Sequence, residues 1–241
     1  MTLRDILQEN PSRTVRAKCK SLAISIGIRW NTGIRTIVNA AIENPPLAAY
    51  VKGTSTNDVL LRWLKKYKGG LDSRISRRRS KIPRTVPDPA VDLIVRANLS
   101  HLTSKNIAKI RYAHRLAMSA EYILGLLLEQ YLAIELRRFG WHFAWGNTLR
   151  SIDFAHEDGR LRQIKNRSNS ENSSSSRVRL GTSIDKWHRV NATTGDYRWD
   201  DLNRAHKTRK FSEEKFRKFI AKTLKRNPKC FPIEDLNPWR L

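Results

Sequence analysis

The stretch Leu149-Arg-Ser-Ile-Asp-Phe-Ala-His-Glu-Asp-Gly-Arg-Leu-Arg-Gln-Ile-Lys-Asn-Arg167 decides how the rest of this chain is read. Two short apolar-alternating segments, Ser151 to Ala155 and Arg160 to Lys165, flank the turn signal Asp158-Gly159, the pattern of a β-hairpin. Side chains alternate along a strand, so Leu161, Gln163 and Lys165 share one face of the second strand, and Arg162 and Ile164 take the other. Whether Asp153 joins the first set depends on register. A two-residue loop would set Asp153 opposite Ile164. A three-residue loop, Glu157-Asp158-Gly159 with Gly159 left-handed in a G1 bulge, sets it opposite Gln163, and cross-strand partners point to the same side. The three-residue loop is the expectation, so that Asp153, Gln163 and Lys165 converge.

A carboxylate, an amide oxygen and an amine on adjacent strands suit metal-assisted phosphodiester hydrolysis. Mg²⁺ takes one or two protein oxygens and keeps waters for a substrate phosphate. A lysine can orient the attacking water and stabilise charge at phosphorus. An amphipathic hairpin with a solvated Asp and Lys has the same pattern, so the spacing alone leaves both readings open.

Asp153 followed by Gln163-Ile164-Lys165 resembles a variant of the PD-(D/E)xK nuclease motif, with Gln in place of the usual acid. The continuation from Gln163 through the Ser/Asn-rich run to Gly181-Thr-Ser-Ile-Asp-Lys-Trp187, and then Gly195-Asp-Tyr-Arg-Trp199, resembles the SinI-type restriction endonucleases. That resemblance implies an α/β (α+β) fold: a PD-(D/E)xK core of a mixed β-sheet flanked by helices, in the order αβββαβ, preceded by a helical N-terminal region. It implies cleavage of double-stranded DNA with Mg²⁺ at a short palindrome-like site of the GGWCC kind. Asp153 would bind metal, the Gln163 side chain and Ile164 carbonyl would complete its ligands, and Lys165 would position the water. An acid on the preceding helix often joins such a site. Glu129 is the position carried over, with Glu121 second; Glu171 is a further acid that could compensate for Gln163. A two-fold site calls for two subunits, hence a homodimer. A less specific repair, junction or Mrr-type nuclease, and a non-enzymatic basic nucleic-acid-binding protein, are the alternatives.

The 241 residues carry 47 Lys plus Arg against 22 Asp plus Glu, a net charge of +25. Such an excess predicts a polyanionic partner, because neutralised phosphates release counterions. Charge alone does not choose among ribosome, membrane surface and DNA. The 39% hydrophobic content and seven Trp argue for a packed core. Cys19 and Cys230 form neither a disulfide framework nor a metal cluster and fit a reducing cytoplasm, bacterial or archaeal by the family resemblance. The start shows no signal pattern, and the apolar run Tyr122 to Leu128 is too short to span a bilayer. No membrane partner and no small-molecule cofactor are expected.

Along the chain, apolar spacing predicts helices at Leu3–Glu9, Val15–Gly27, Thr32–Glu43 and Thr56–Lys66. Lys65 to Pro89 reads as a basic, Pro/Gly-rich linker whose Arg77, Arg78 and Arg79 would contact phosphates. One helix should run from Asp88 or Pro89 to about Asn98, another should open at Ser104, and a strong one should run from about Ser119 to Arg138, stopped by Gly140. Trp141 to Gly146 reads as a strand. Residues 166–180 are expected to form a DNA-reading loop through Asn166, Arg167, Asn169, Asn172, Ser173, Ser174, Arg177 and Arg179, since Asn and Arg can read adenine and guanine and Ser can serve bases or phosphates. Gly181 to Leu202 reads as helix, turn and strand, and a basic helix should start at Ser212. The chain divides into a helical, basic region 1–110 and a catalytic core 111–241.

Overall fold

A computed structural model describes residues 1–82, 86, 88–169, 183–235 and 237–239. Its N-terminal layer consists of α1 (Leu3–Glu9), α2 (Ser12–Ser25), α3 (Thr32–Glu43) and α4 (Thr56–Asp72). Local chemistry fixes their starts. Thr2 and Asp5 form a reciprocal capping box on α1, and the Asn31 and Ser55 side chains accept the third-residue amides of α3 and α4. Then come α5 (Pro89–Asn98), capped by Asp88, and α6 (Ser104–Glu135). The sheet consists of β1 (Trp141–Phe143), β2 (Phe154–His156), β3 (Leu161–Arg167) and β4 (Asp185–Val190), and the chain continues into α7 (Trp199–Ala205) and α8 (Glu213–Arg226).

The sheet order is β1-β2-β3-β4; the first two pairings are antiparallel and β3–β4 is parallel. The sheet is therefore mixed, as expected. Its two faces have separate cores. Ala155 and Leu161 pack with Leu3, Ile37, Leu60 and Trp63 of the N-terminal layer. Phe154, Ile164 and Trp187 pack with Leu128 and Leu132 of α6, Trp199 of α7 and Phe216 of α8. Arg162 also points to this second side, where it is ion-paired to Asp185 at 2.6 Å and stacked 4.3 Å over the Trp141 ring.

Several expectations change. The helices at Ser104 and Ser119 are one 32-residue helix, closed by a 3₁₀ turn and the left-handed Gly140 (φ +77°). The segment read as a linker from Lys65 is helical to Asp72, and the turn beyond Asp72 is tied down. Ile75 is buried, the Ser76 amide donates to Gln130 Oε1 at 3.0 Å, and Asn227 Nδ2 donates to the Ile75 and Arg78 carbonyls. Gly69-Gly70 lies inside α4 rather than ending it. A Cβ on Gly70 would stand 2.1 Å from the Gly146 nitrogen, so glycine permits α4 to touch the turn after β1. The strand read from Trp141 to Gly146 stops at Phe143, because a 3₁₀ turn takes Trp145–Asn147. The first hairpin strand begins at Phe154, not Ser151, since Ser151 is left-handed (φ +57°). Gly181 to Leu202 runs as strand, turn and helix where described, the reverse of the expected order. The Ser212 side chain caps α8 as anticipated. No helix among the described residues is long and apolar enough to cross a membrane.

Candidate active site

The hairpin register is that of the three-residue loop. Phe154 pairs with Arg162 and Ala155 with Leu161, and the His156 amide donates to the Arg160 carbonyl, leaving Glu157-Asp158-Gly159 as the loop with Gly159 at φ +94°. The pairing ends at Phe154–Arg162, and just before it the Asp153 amide also donates to the Arg162 carbonyl at 3.1 Å, so that Asp153 and Phe154 both stand against Arg162, as in a bulge. The Asp153 carboxylate is fixed as well, because Oδ2 accepts the Ile164 amide at 2.7 Å.

Asp153, Gln163, Ile164, Lys165 and Asn166 line one cleft of about 520 Å³, and α6 brings Glu129 into it. Glu121 is exposed and outside that lining. Both carboxyls sit where solvent can touch them but protein surrounds most of each group. Desolvation pushes Asp153 up to about 6 against the opposing pull of the Ile164 amide and the Lys165 charge. Desolvation, then repulsion from Asp153, pushes Glu129 up to about 8, with Lys165 again opposing. Two desolvated carboxyls thus share the cleft with the cations Lys165, Lys66 and Arg150. Such an arrangement favours protonation or a cation.

Gln163 adds an amide oxygen with the same need. Its side chain is 2% exposed, and Oε1 has no hydrogen-bond partner among the described residues. An unpaired buried amide oxygen costs about 1–3 kcal/mol unless something accepts its lone pairs. A hard cation is such a partner. Among the described residues no three His, Cys, Asp or Glu side chains cluster as metal ligands, so the donor set here is two carboxylates and an amide. That set fits Mg²⁺, which takes few protein oxygens. Ile164 contributes backbone to the cleft while its side chain lies in the core.

The expected DNA contacts fare differently. Asn166 is on the cleft wall, but its Oδ1 accepts Arg189 Nε at 2.8 Å, and Arg189 is itself bound to Glu213. The amide oxygen of Asn166 therefore has a structural partner. Arg167 and Asn169 are exposed where β3 ends. Asn172, Ser173, Ser174, Arg177 and Arg179, with Glu171, lie outside the described residues. Arg77 and Arg79 are exposed and Arg78 sits 5.5 Å from the Tyr122 ring, yet none of the three lines this cleft.

Sequence reasoning missed Lys66, Tyr50, Asn147, Arg150 and Ser151 in the cleft wall. Lys66 comes from α4, inside the stretch the apolar spacing already predicted as helical, but no motif marked it as a site residue. Asn147 and Ser151 are left-handed without being glycine (φ +52° and +57°), a strained turn next to Asp153 that no sequence signal marks.

Over residues 36–226 the chain matches the SinI restriction endonuclease family, a stretch that holds Glu129, Asp153, Gln163 and Lys165. It is 37% identical over 158 residues to the type II restriction enzyme Eco47I of Escherichia coli, an alignment covering 64% of this chain and 68% of that protein. It is 36% identical over 149 residues to the type II restriction enzyme SinI of Salmonella infantis, covering 60% and 64% respectively.

Proposed function

The chain belongs to the SinI restriction endonuclease family and is an enzyme of the type II restriction class, and from that premise we propose that it hydrolyses phosphodiester bonds of double-stranded DNA with Mg²⁺ at a short palindrome-like site of the GGWCC kind. The observation that carries the reading is the buried Gln163 Oε1, without a hydrogen-bond partner among the described residues, on a residue that lines one cleft with Asp153, Glu129 and Lys165.

Asp153, Glu129, Gln163 Oε1 and the Ile164 carbonyl would hold the metal. A bound Mg²⁺ supplies Lewis-acid polarisation of the phosphodiester and a more acidic water. The protein does the rest. The Ile164 amide fixes the Asp153 carboxylate, so its free oxygen has one direction. Lys165, on the same strand face as Gln163, donates hydrogen bonds to the attacking water or to a non-bridging phosphate oxygen, and its charge opposes the negative charge that builds at phosphorus. The surrounding wall excludes bulk water and strengthens these interactions. Arg167 and Asn169, exposed where β3 leaves the sheet, would contact bases or phosphates, in a reading loop 166–180 of a catalytic region 111–241.

A homodimer fits a two-fold site with one catalytic cleft per chain. It is supported by the apolar surface of α5 and the first half of α6. No residue of α5 is buried; Leu93 is 69% and Ile94 66% exposed, and Met118 and Tyr122 on α6 are more than half exposed. Val86, Val91 and Ile110 nearby are exposed as well, and exposed apolar side chains of this kind mark surfaces that bind another protein. Cys19 and Cys230 are both free and buried, which suits a bacterial or archaeal cytoplasm.

Incubating a plasmid with the protein, with and without Mg²⁺, tests the reading. Discrete fragments only with Mg²⁺ are expected. A smear would point to an unspecific nuclease, and intact DNA in both lanes would contradict enzymatic function.

A further inference from the structure

A second concavity, of about 810 Å³, opens beside β1, and Arg74, Arg77, Arg137, Lys222 and Arg226 line it together with no carboxylate. The cations come from three places: the turn after α4, the end of α6, and α8. Among the described residues none of the five belongs to an ion pair, whereas Arg62, Arg115 and Arg189 elsewhere do. Asp72, the acid nearest in sequence to Arg74 and Arg77, is paired to Lys68 instead. Five such cations around one opening need a reason.

The opening is built rather than incidental. The turn that carries Arg74 and Arg77 is pinned from both sides: Gln130 accepts the Ser76 amide and donates Nε2 to Ser76 Oγ at 2.8 Å, and Asn227 holds the Ile75 and Arg78 carbonyls. Arg74 is held in turn by its own bond to the Leu71 carbonyl at 2.8 Å. The α3 N-terminus, at Asn31 and Gly33, also faces this space and adds the positive end of a helix dipole. Burial, and then the neighbouring Arg77 charge, disfavour the protonated form of Arg74. Holding like charges together costs stability unless an anion offsets it.

The basic opening adjoins the catalytic cleft. Lys66 and Asn147 line the catalytic cleft, whereas their neighbours Tyr67 and Trp145 line the basic one. The two openings therefore share a wall, made where Gly146 meets the α4 backbone: a Cβ there would stand 1.9 Å from the Lys66 carbonyl oxygen. A polyanion lying over the catalytic cleft can extend across that wall.

We propose that this basic cleft is a phosphate-binding site, and that it seats backbone phosphates of the same DNA duplex outside the bond being cut. The second clause rests on the proposed DNA cleavage; the phosphate chemistry does not. The other source of the same chemistry is a free phosphate compound, for which pyrophosphate is the probe.

The test uses the full chain and the double variant Arg137→Ala/Arg226→Ala, both positions being exposed. Arg13→Ala/Lys20→Ala, on the exposed side of α2, removes the same charge elsewhere. Binding of a random-sequence 30-base-pair duplex is measured across salt, and thermal stability is measured with and without pyrophosphate. Loss of two phosphate contacts should lower the log–log salt slope by about 2, with the α2 variant close to the unmodified protein. That result supports the backbone assignment. An unchanged slope, with pyrophosphate stabilising the unmodified protein but not the cleft variant, supports the site with a free phosphate compound as its ligand. If neither readout separates the cleft variant from the α2 variant, the proposal is wrong. A failure of the unmodified protein to bind duplex at any salt would count against DNA as substrate, and the pyrophosphate readout would still decide the cleft.

Discussion

The Ile164 amide donates to Asp153 Oδ2 at 2.7 Å, so the strand that carries Gln163 and Lys165 also aims the carboxylate that faces them. One hydrogen bond thereby links the hairpin register to the chemistry of the cleft. Had the loop been one residue shorter, Asp153 would face Ile164 across the strands and the three polar groups would part.

Gln163→Glu should lower the Mg²⁺ concentration for half-maximal cleavage by about fivefold, equivalent to about 1 kcal/mol of metal binding. An anionic oxygen holds the ion more firmly than an amide, and Gln163 Oε1 has no described partner to lose. Cleavage rate against Mg²⁺ concentration for both proteins checks this; identical curves would mean that Gln163 only packs.

The two raised carboxyls give the metal-free protein a defined pH response. Asp153 is pushed up to about 6 and Glu129 to about 8, so the folded protein binds more protons than the unfolded chain above about pH 4. Their contribution to stability is full below the unfolded values and is lost as pH rises through 6 and 8. The metal-free melting temperature should therefore fall from pH 5 to pH 8 more steeply than that of Glu129→Gln. Mg²⁺ should raise it most at pH 8, where both groups are ionised. Equal pH slopes for the two proteins would count against a shared, desolvated pair.

Much of this site was legible because it rests on local rules. The requirement that Asp153, Gln163 and Lys165 share a face chose the three-residue loop over the two-residue one, the loop set the register, and alternation then placed Gln163 with Lys165 and Ile164 with the core. Glu129 stood out as an acid inside an apolar run. The features that could not be read depend on partners distant in sequence or on unusual backbone. The 73–80 segment looked like a free charge run because Gln130 and Asn227, which tie it down, lie more than 50 residues away. Ile152 and Phe154 show the alternation of a strand, yet the left-handed Ser151 just before them makes a turn and the strand starts only at Phe154. Gly69-Gly70 was read as part of a linker because glycine is a poor helix former, and nothing local announces that Gly146 needs the space.

That last contact reverses the usual sign of a glycine substitution. In an ordinary exposed helix, Gly→Ala stabilises by about 1 kcal/mol. Gly70→Ala should instead destabilise by about 2 kcal/mol or more, since the new Cβ would meet backbone at 2.1 Å and the two elements must separate. Gly69→Ala, with nothing within 4 Å, should stabilise. Urea denaturation of the pair decides it.

Leu93→Glu/Ile94→Glu should convert a dimer into a monomer without loss of secondary structure, because α5 buries no residue within its own chain. Sedimentation velocity and far-ultraviolet circular dichroism are the measurements. An unmodified protein that sediments as a monomer on its DNA site, or a variant that remains dimeric, would place the interface elsewhere or remove it.

In the proposed mechanism Asp153 and Lys165 act on the scissile phosphate, in the cleft they share with Glu129 and Gln163. The most direct measurement is digestion of a plasmid by Asp153→Ala and Lys165→Ala with Mg²⁺, paired with DNA binding by gel shift. Both variants should lose cleavage by about 100-fold or more while still binding the duplex, since they touch the reacting group rather than the bases. Discrete fragments from Asp153→Ala at the rate of the unmodified protein would contradict the account.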